Sequence, residues 1–252
     1  MVKAAVDTYS PFDTGLKSTV RRNMVLIAAK LGLRLERLED TSRFVADGSA
    51  KITDLYEKAV SIPGMVSLKR GQIMYYMALS TAHLGGDILE IGSWQGRSTL
   101  FLAQACKDSE TGSVHAVDTF KGNPGNESLY VVGKADRSDL LPNFLQNMKA
   151  AGVADRVTPH AMSSVEARSE IKAINPSFRL IYIDGEHTYD AVKADLHGYA
   201  DLLQVGGLLL FDDYSISFPG VVKAIDEHIA ENPGRYGRRI QDDNLLVLRR
   251  IS

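Results

Sequence analysis

From about Asp87 onward, short apolar runs alternate with longer segments of helical pattern, and this alternation constrains the fold most. The runs lie at Asp87–Ile91, Ser113–Asp118, Arg156–His160, Arg179–Ile183 and Gly207–Phe211. Several are apolar almost throughout, as is typical of strands covered on both faces. The helical patterns between them are Arg97–Lys107, Asp139–Ala151, Val165–Ile174 and Tyr189–Leu203. Such alternation predicts a Rossmann-like, doubly wound α/β fold with a mostly parallel sheet and right-handed crossovers.

The last part of the chain contains two further strand candidates, Arg235–Ile240 and Leu245–Arg250. Only Gln241–Asn244 separates them, and a turn that short forces an antiparallel pair. We therefore predict one antiparallel strand near the edge of the parallel sheet.

The first 60 or so residues carry helical patterns, at Val25–Leu33 and Thr53–Val60, and Pro63-Gly64 closes the region. A further helix is predicted at about Leu68–Leu84, leading into the first strand. We expect a helical N-terminal extension over residues 1–61 and one larger α/β domain over residues 62–252.

The composition narrows the class of partner. Lys and Arg number 29 against 31 Asp and Glu, without a long run of either sign, which argues against a nucleic-acid or membrane-surface role. The apolar stretches are shorter than the roughly 20 residues that span a bilayer, and the N-terminus lacks a signal-peptide pattern. The single cysteine, Cys106, sits in an apolar segment and suits a reducing compartment. We expect a soluble cytoplasmic protein.

The strongest single motif is the segment Ile88–Thr99, in which a strand, a glycine-bearing turn and a helix start follow one another. Its spacing is Glu90-x-Gly92-x-x-x-Gly96, with Ser93 in the turn. A dehydrogenase would carry G-x-G-x-x-G around a pyrophosphate, which a carboxylate at the strand end would repel. The acid instead suits a ligand with an amino group or ribose hydroxyls. An ordinary strand–helix turn is the alternative.

Acids also follow the other predicted strands. Asp118 closes the second strand, where such folds hold the two ribose hydroxyls of a nucleoside. Asp184 follows one later strand, and Asp212 with Asp213 follows the next. Three acids at neighbouring strand ends repel one another unless a cation lies among them, and hard ions such as Mg²⁺ take oxygen ligands. The alternative is that Asp212 and Asp213 only cap the following turn.

His187 lies three residues after Asp184 on the same loop. Its ordinary pKa of about 6.5 suits a base that removes a hydroxyl proton near neutral pH. The alternative is a histidine at a helix start without chemistry. We take the remaining candidates as structural or exposed: His115, His160, His197 and His228.

At this point the residues resemble a known family. Glu90–Ser98 resembles the cofactor motif of class I S-adenosylmethionine-dependent methyltransferases. Three further segments look like the bacterial O-methyltransferases that tailor macrolide, aminocoumarin and cephalosporin antibiotics and rhamnosyl glycolipids: Asp184–Tyr189, Gly206-Gly207 and Asp212–Tyr214. Catechol O-methyltransferase is a more distant relative. Arg70–Met74 is similar to a stretch that wraps the methionine end of the cofactor there. The resemblance covers about Gly64 to Ile251.

The resemblance implies a role for each matching residue. Glu90 and Gly92 would hold S-adenosylmethionine, with Ser98 near its carboxylate, Asp118 at the ribose and Ser163 near the adenine. The wider cofactor site is then expected to include Val66, Ser93, Gly96, Thr119 and Asp184. Asp184, Asp212 and Asp213 would ligate Mg²⁺.

The same resemblance implies catalysis by Asp184 and His187, with His187 in the place of the catechol enzyme's lysine. The expected acceptor is a hydroxyl of a small molecule, a sugar or a secondary metabolite, and no nucleic acid or membrane is expected as a partner. A homo-oligomer built through the N-terminal helices is also expected. Two rivals are an NAD-dependent oxidoreductase, which the glycine pattern disfavours, and a non-catalytic protein that keeps the cofactor pocket.

Overall fold

A computed structural model describes residues 52, 54–122, 140–174 and 177–252. The chain divides into two compact units, Met1–Leu55 and Tyr56–Ser252, and everything below concerns the second. The predicted helix Val25–Leu33 lies outside the described residues. Residues 56–61 are helical, and none of the described helices has the length and apolar character that crossing a bilayer requires.

Seven strands form one sheet in the order β3-β2-β1-β4-β5-β7-β6. Their bounds are β1 Asp87–Ile91, β2 Val114–Asp118, β3 Val157–Ala161, β4 Phe178–Ile183, β5 Leu203–Phe211, β6 Tyr236–Asp242 and β7 Leu245–Arg250. Strands β1 to β5 are mutually parallel, whereas β7 pairs antiparallel with both β5 and β6. The prediction of a parallel sheet with one reversed strand near its edge is confirmed.

From Leu68 onward, six α-helices of the described residues flank these strands: α1 Leu68–Ser80, α2 Arg97–Asp108, α3 Leu141–Ala151, α4 Ser164–Ile174, α5 Tyr189–Tyr199 and α6 Pro219–Glu231. The predicted helix Tyr189–Leu203 ends earlier, because a short 3₁₀ turn occupies Ala200–Leu202 and β5 begins at Leu203. The segment 204–207 contains a glutamine and two glycines, so the first half of β5 lacks the apolar pattern by which a buried strand is recognised in the sequence. Gly207 is needed there, since a Cβ would lie 2.8 Å from the carbonyl oxygen of Arg179.

Both faces of the sheet are covered. Side chains such as Leu89, Ile181 and Leu209 pack on one face against α4, α5 and α6 in a single apolar core. On the other face Thr99 of α2 bonds Glu90 of β1. Successive side chains of a strand point to opposite faces of the sheet. Glu90 and the side chains beside it on the second face therefore point away from the apolar core.

The amino end of the sheet is fastened by a fully buried arginine. Arg179 Nε donates to the Gly86 carbonyl at 3.1 Å, and its other nitrogens reach Thr81, Thr111 and the sulfur of Cys106. Cys106 is buried, as expected, and burial raises the pKa of its thiol. Polar partners therefore satisfy the guanidinium at the end of the sheet opposite the acids.

Two of the histidines expected to be structural or exposed are buried and joined to each other. His115 Nδ1 lies 3.0 Å from His160 Nε2, and His160 Nδ1 lies 2.9 Å from a Glu170 oxygen. Asp87 closes the chain at 3.4 Å from His115 Nε2. The two buried histidines and the acids at either end link β1, β2, β3 and α4, which is a structural role.

Candidate functional site

The end of β1 carries a fully buried acid. Glu90 accepts a hydrogen bond from the Thr99 hydroxyl, while its second oxygen, Oε1, is buried without a hydrogen-bond partner among the described residues. Burial raises the pKa of Glu90 to about 7, and Asp184 adds to the rise, whereas the hydroxyls of Ser98 and Thr99 oppose it. A buried carboxyl oxygen that lacks a hydrogen-bond partner is suited to a ligand that brings a positive charge or a hydrogen-bond donor.

The turn after β1 needs its glycines. Gly92 has φ +89°, and a Cβ on it would lie 1.9 Å from the carbonyl oxygen of Asp184. Asp184 N in turn donates to the Ile91 carbonyl at 2.8 Å. The turn after β1 and the loop after β4 are therefore in direct backbone contact.

The helix after this turn offers further groups. Gly96, with φ +93°, precedes the first residue of α2, where backbone N–H groups lack intrahelical partners. Ser93 and Ser98 are buried there, and the Ser93 hydroxyl has no hydrogen-bond partner among the described residues. These predicted cofactor residues lie together with Glu90.

Asp118 ends β2 beside the same turn. Its carboxylate accepts from the backbone N–H of Trp94 at 2.8 Å and of Phe120 at 2.7 Å, which fixes its orientation across the turn. Burial raises the pKa of Asp118. Thr119 follows it and is exposed. Asp118 is thus tied to the glycine turn, and its contact with a ribose stays a prediction.

Two of the predicted cofactor residues, Ser163 and Val66, lie on other segments than the glycine turn. Ser163 bonds Glu166 at the start of α4, with Oγ donating to a Glu166 oxygen at 2.7 Å and accepting from Glu166 N at 3.3 Å. This reciprocal pair is a helix-capping arrangement. Val66 is half-buried in the segment before α1.

The predicted acids and His187 converge beyond β4 and β5. His187 Nε2 lies 3.1 Å from an Asp213 oxygen and 3.5 Å from an Asp184 oxygen. Those distances allow ion pairing, but Nε2 completes no hydrogen bond to the described residues. Thr188 caps α5 by accepting from Ala191 N, and the Phe218 ring packs edge-on against the His187 ring at 5.0 Å. The imidazole is therefore held between the two acids.

Burial and neighbouring charges raise the pKa of Asp184, Asp213 and His187. Burial raises the pKa of Asp184 to about 7, and repulsion from Asp212 and Asp213 adds to the rise, while His187 opposes it. Burial and Asp212 likewise raise the pKa of Asp213. The Asp184 carboxylate raises the pKa of His187 against the effect of its own burial. The protonation of each of these groups therefore depends on the charge of the others.

Three further residues contact the acids of this cluster, and the sequence did not predict these contacts. Arg70 Nη1 lies 2.7 Å from both oxygens of Asp212. The Tyr182 hydroxyl reaches Asp184 at 3.0 Å and Asp212 at 3.1 Å, and Asn244 bonds Asp213. For Tyr182 the sequence held a signal, because it lies two residues before Asp184 in an otherwise apolar run. In the structure it pairs in register with Glu90.

The donor set fits a cation. One ligand atom each from Asp184, His187 and Asp213 lies within 4.8 Å of the others. Asp212 differs from these three because Arg70 engages both of its oxygens. Two carboxylates and an imidazole nitrogen that makes no hydrogen bond to the residues the structure describes match the chemistry of divalent metal ligands. The three-aspartate magnesium site stays a prediction.

A cavity of about 380 Å³ adjoins the acid loop. Its lining residues are Tyr214, Ser215, Ile216, Pro219, Val222, Lys223 and Gln241. Tyr214 directly follows Asp213, so the cavity begins one residue from the cluster.

Comparison with known proteins agrees with this architecture. Residues 89–214, half of the chain, match a protein-family model described as a methyltransferase domain. The O-methyltransferase NovP superposes with a TM-score of 0.62 at 19% identity, over 75% of this chain and 82% of NovP.

Two further structures are similar over nearly the whole chain. An O-methyltransferase from Bacillus cereus, in complex with SAH, has a TM-score of 0.58 at 16% identity, over 93% of this chain and 100% of its own. TomG, an O-methyltransferase from Streptomyces achromogenes in complex with SAM, has a TM-score of 0.58 at 15% identity, over 95% and 100%. At these identities the likeness establishes a shared fold.

The raised pKa of Glu90 predicts a pH-dependent stability. The unfolded chain loses this proton near pH 4.5 and the folded chain near pH 7, so the Glu90 contribution to the free energy of unfolding falls as pH rises between these values. Glu90→Gln should gain stability relative to wild type over that window, by up to about 3 kcal/mol. Urea unfolding of both proteins from pH 4 to 8 measures it. Glu110→Gln, at an exposed position, is the control, and a Glu90→Gln difference that stays constant with pH would contradict the assignment.

Proposed function

Since the chain belongs to the methyltransferase-domain family, we propose that it transfers a methyl group from S-adenosylmethionine to a hydroxyl oxygen of a small molecule, such as a sugar or a secondary metabolite. One observation carries the proposal. The glycine turn beside Glu90 is in backbone contact with the loop that carries Asp184 and His187. A cofactor site and a proton acceptor therefore belong to one site.

The buried polar groups around the turn suit this cofactor. Glu90 Oε1 is an acceptor without a hydrogen-bond partner in the described part of the chain, and Asp118 is an oriented carboxylate at the neighbouring strand end. An amino group and ribose hydroxyls are donors that such acceptors bind. Glu90, Gly92, Ser93, Gly96, Ser98 and Asp118 would hold the cofactor, with Val66, Thr119, Ser163 and Asp184 as further proposed contacts. When bound, the cofactor supplies an electrophilic methyl carbon.

His187 is the proposed general base. A hydroxyl oxygen is a poor nucleophile until its proton is removed or its charge is drawn off by a cation. The Nε2 atom of His187 would take that proton, and the carboxylates of Asp184 and Asp213, at 3.5 and 3.1 Å, would stabilise the imidazolium. The packing of Phe218 against the ring keeps its orientation.

We propose Mg²⁺ as the cation, held by Asp184, Asp213 and Asp212, because carboxylate oxygens are its preferred ligands. Its chemistry would be to orient and acidify the acceptor hydroxyl. The Arg70 contact already offsets the charge of Asp212, which makes Asp184 and Asp213 the stronger ligands of the three. His187 adjoins both of them, so ligation by His187 in place of the base role is the alternative.

Cofactor binding gives the first test of this function. Glu90→Ala and Asp118→Ala should each weaken S-adenosylmethionine binding by about 1.5–3 kcal/mol, because a charged partner is lost. Calorimetry measures the affinity, with NADH as the competing ligand and Glu231→Ala, an exposed acid of α6, as the control. Tight NADH binding, or an unchanged S-adenosylmethionine affinity in both variants, would favour the rival functions.

Methyl transfer gives the second test. Transfer from methyl-tritiated S-adenosylmethionine is measured over a panel of phenols and sugars, and the best acceptor is then used. His187→Ala should lower the rate by roughly 10²–10⁴-fold, the usual share of proton transfer, and should abolish the rising limb of the pH–rate profile. Cofactor affinity should barely change. His197→Ala, an exposed histidine of α5, is the control, and an unaltered pH profile in His187→Ala would transfer the base role elsewhere.

Chelation tests the cation. Excess EDTA should abolish methyl transfer while leaving the circular dichroism spectrum intact, because the proposed ion binds at loop ends and not in the core. EDTA saturated with Mg²⁺ beforehand is the matched control. Full activity of a metal-free sample in excess EDTA would exclude the magnesium site.

A further inference from the structure

The turn between β6 and β7 reaches across to the acid loop through one residue, Asn244. Its carbonyl oxygen accepts from Tyr214 N at 2.9 Å, and its Nδ2 donates to Asp213 Oδ1 at 2.7 Å. Its Oδ1 accepts from Arg70 Nη2. One half-buried amide therefore joins the hairpin, the acid loop and α1.

The chemistry of the partners settles which way this amide faces. A guanidinium offers donors only, and an ionised carboxylate offers acceptors only. The oxygen of Asn244 must therefore face Arg70, and the nitrogen must face Asp213. An aspartate or a leucine of similar shape could not satisfy both neighbours.

This bridge gives the two adjacent acids different surroundings. Arg70 engages both oxygens of Asp212. Asn244 engages Oδ1 of Asp213, and Oδ2 is the oxygen that lies 3.1 Å from His187 Nε2. The Asn244 amide thus directs Asp213 toward the His187 ring, while Arg70 holds Asp212.

The backbone of Asp213 needs such support. Its φ is +55°, in the left-handed region that residues other than glycine adopt infrequently. Asp213 N donates to Asp212 Oδ1 at 2.8 Å, and Ser215 N donates to the Asp213 carbonyl at 2.8 Å. The side-chain bond from Asn244 completes the set of contacts that hold this conformation.

We propose that Asn244 is a positioning residue, which couples the Arg70–Asp212 ion pair to the orientation of Asp213 beside His187. The proposal deepens the proposed function, since it assigns Asp213, and not Asp212, as the acid presented to the reacting groups. Asn244 acts only through Asp213 and Arg70.

The neighbouring pair between Lys69 and Asp242 supplies a matched control. Lys69 Nζ lies 2.7 Å from Asp242 Oδ1, so it joins the same helix to the same hairpin. This exposed contact involves none of the acids of the cluster. Lys69→Ala therefore loosens the hairpin without altering the bonds to Asp213.

The test compares Asn244→Ala, Asn244→Leu and Asn244→Asp with Lys69→Ala and wild type. Titration calorimetry with Mg²⁺ and with Mn²⁺ should give a cation affinity about tenfold lower in Asn244→Ala and Asn244→Leu. Affinity for S-adenosylmethionine should change less than twofold, and the thermal midpoint should stay near that of Lys69→Ala. Crystal structures should show Asp213 Oδ2 moved away from His187 in all three Asn244 variants, because each lacks the N–H donor. If Asn244→Ala does not fold, the near-isosteric Leu and Asp variants decide.

Several results would overturn the inference. One is an Asp213 carboxylate that stays within 3.5 Å of His187 in the Asn244 variants, and another is an unchanged cation affinity. A fall in cation and cofactor affinity together, in step with lost stability and matched by Lys69→Ala, would assign Asn244 a purely structural role. If wild type binds no cation, the magnesium part of the proposed function fails, and the position of Asp213 in the crystals still decides the role of Asn244.

Discussion

Four carboxyl groups lie together at one edge of a parallel sheet, and their mutual repulsion is the constraint that the surrounding structure satisfies. Burial raises the pKa of Glu90 and of Asp184 to about 7, and repulsion from neighbouring carboxylates adds to both rises. Asp212 is paired with Arg70, and Asp213 lies against His187. Without a ligand, the repulsion among these carboxyl groups lowers the stability of the fold. Protons, the ammonium group of a ligand or a divalent cation would reduce that repulsion.

The opposite end of the sheet shows why the acids can be tolerated. The fully buried Arg179 binds backbone carbonyls and side chains from α1, α2 and the segments before β1 and β2. The apolar core between the sheet and α4, α5 and α6 is continuous below the site. Because these parts hold the strands in place without the site, the carboxyl edge is free to carry groups chosen for chemistry rather than for stability.

The sequence predicted the sheet and the acids far better than their partners. Parallel strands end at one edge, so an acid after each strand identifies Asp118, Asp184, Asp212 and Asp213 by pattern alone. The reversed strand followed from the length of the turn at Asp243. The resemblance placed Arg70 near the methionine end of the cofactor, but its contacts with Asp212 and Asn244 could not be predicted, because they span 142 and 174 residues of chain. The resemblance assigned Ser163 to the adenine, and its hydroxyl bonds Glu166 in this structure, so its contact with the cofactor stays a prediction.

The charges of the cluster connect the role of His187 with that of a cation. Three ionised aspartates and one guanidinium leave a formal charge of −2. A divalent cation would neutralise it with His187 uncharged, which is the state that a general base requires. Without a cation, a proton on His187 and another on Asp184 would neutralise the same charge, in line with the raised pKa of both groups. If the proposed cation binds, its charge and a proton on His187 would be held by the same acids, so cation binding and the protonation of His187 would be thermodynamically linked.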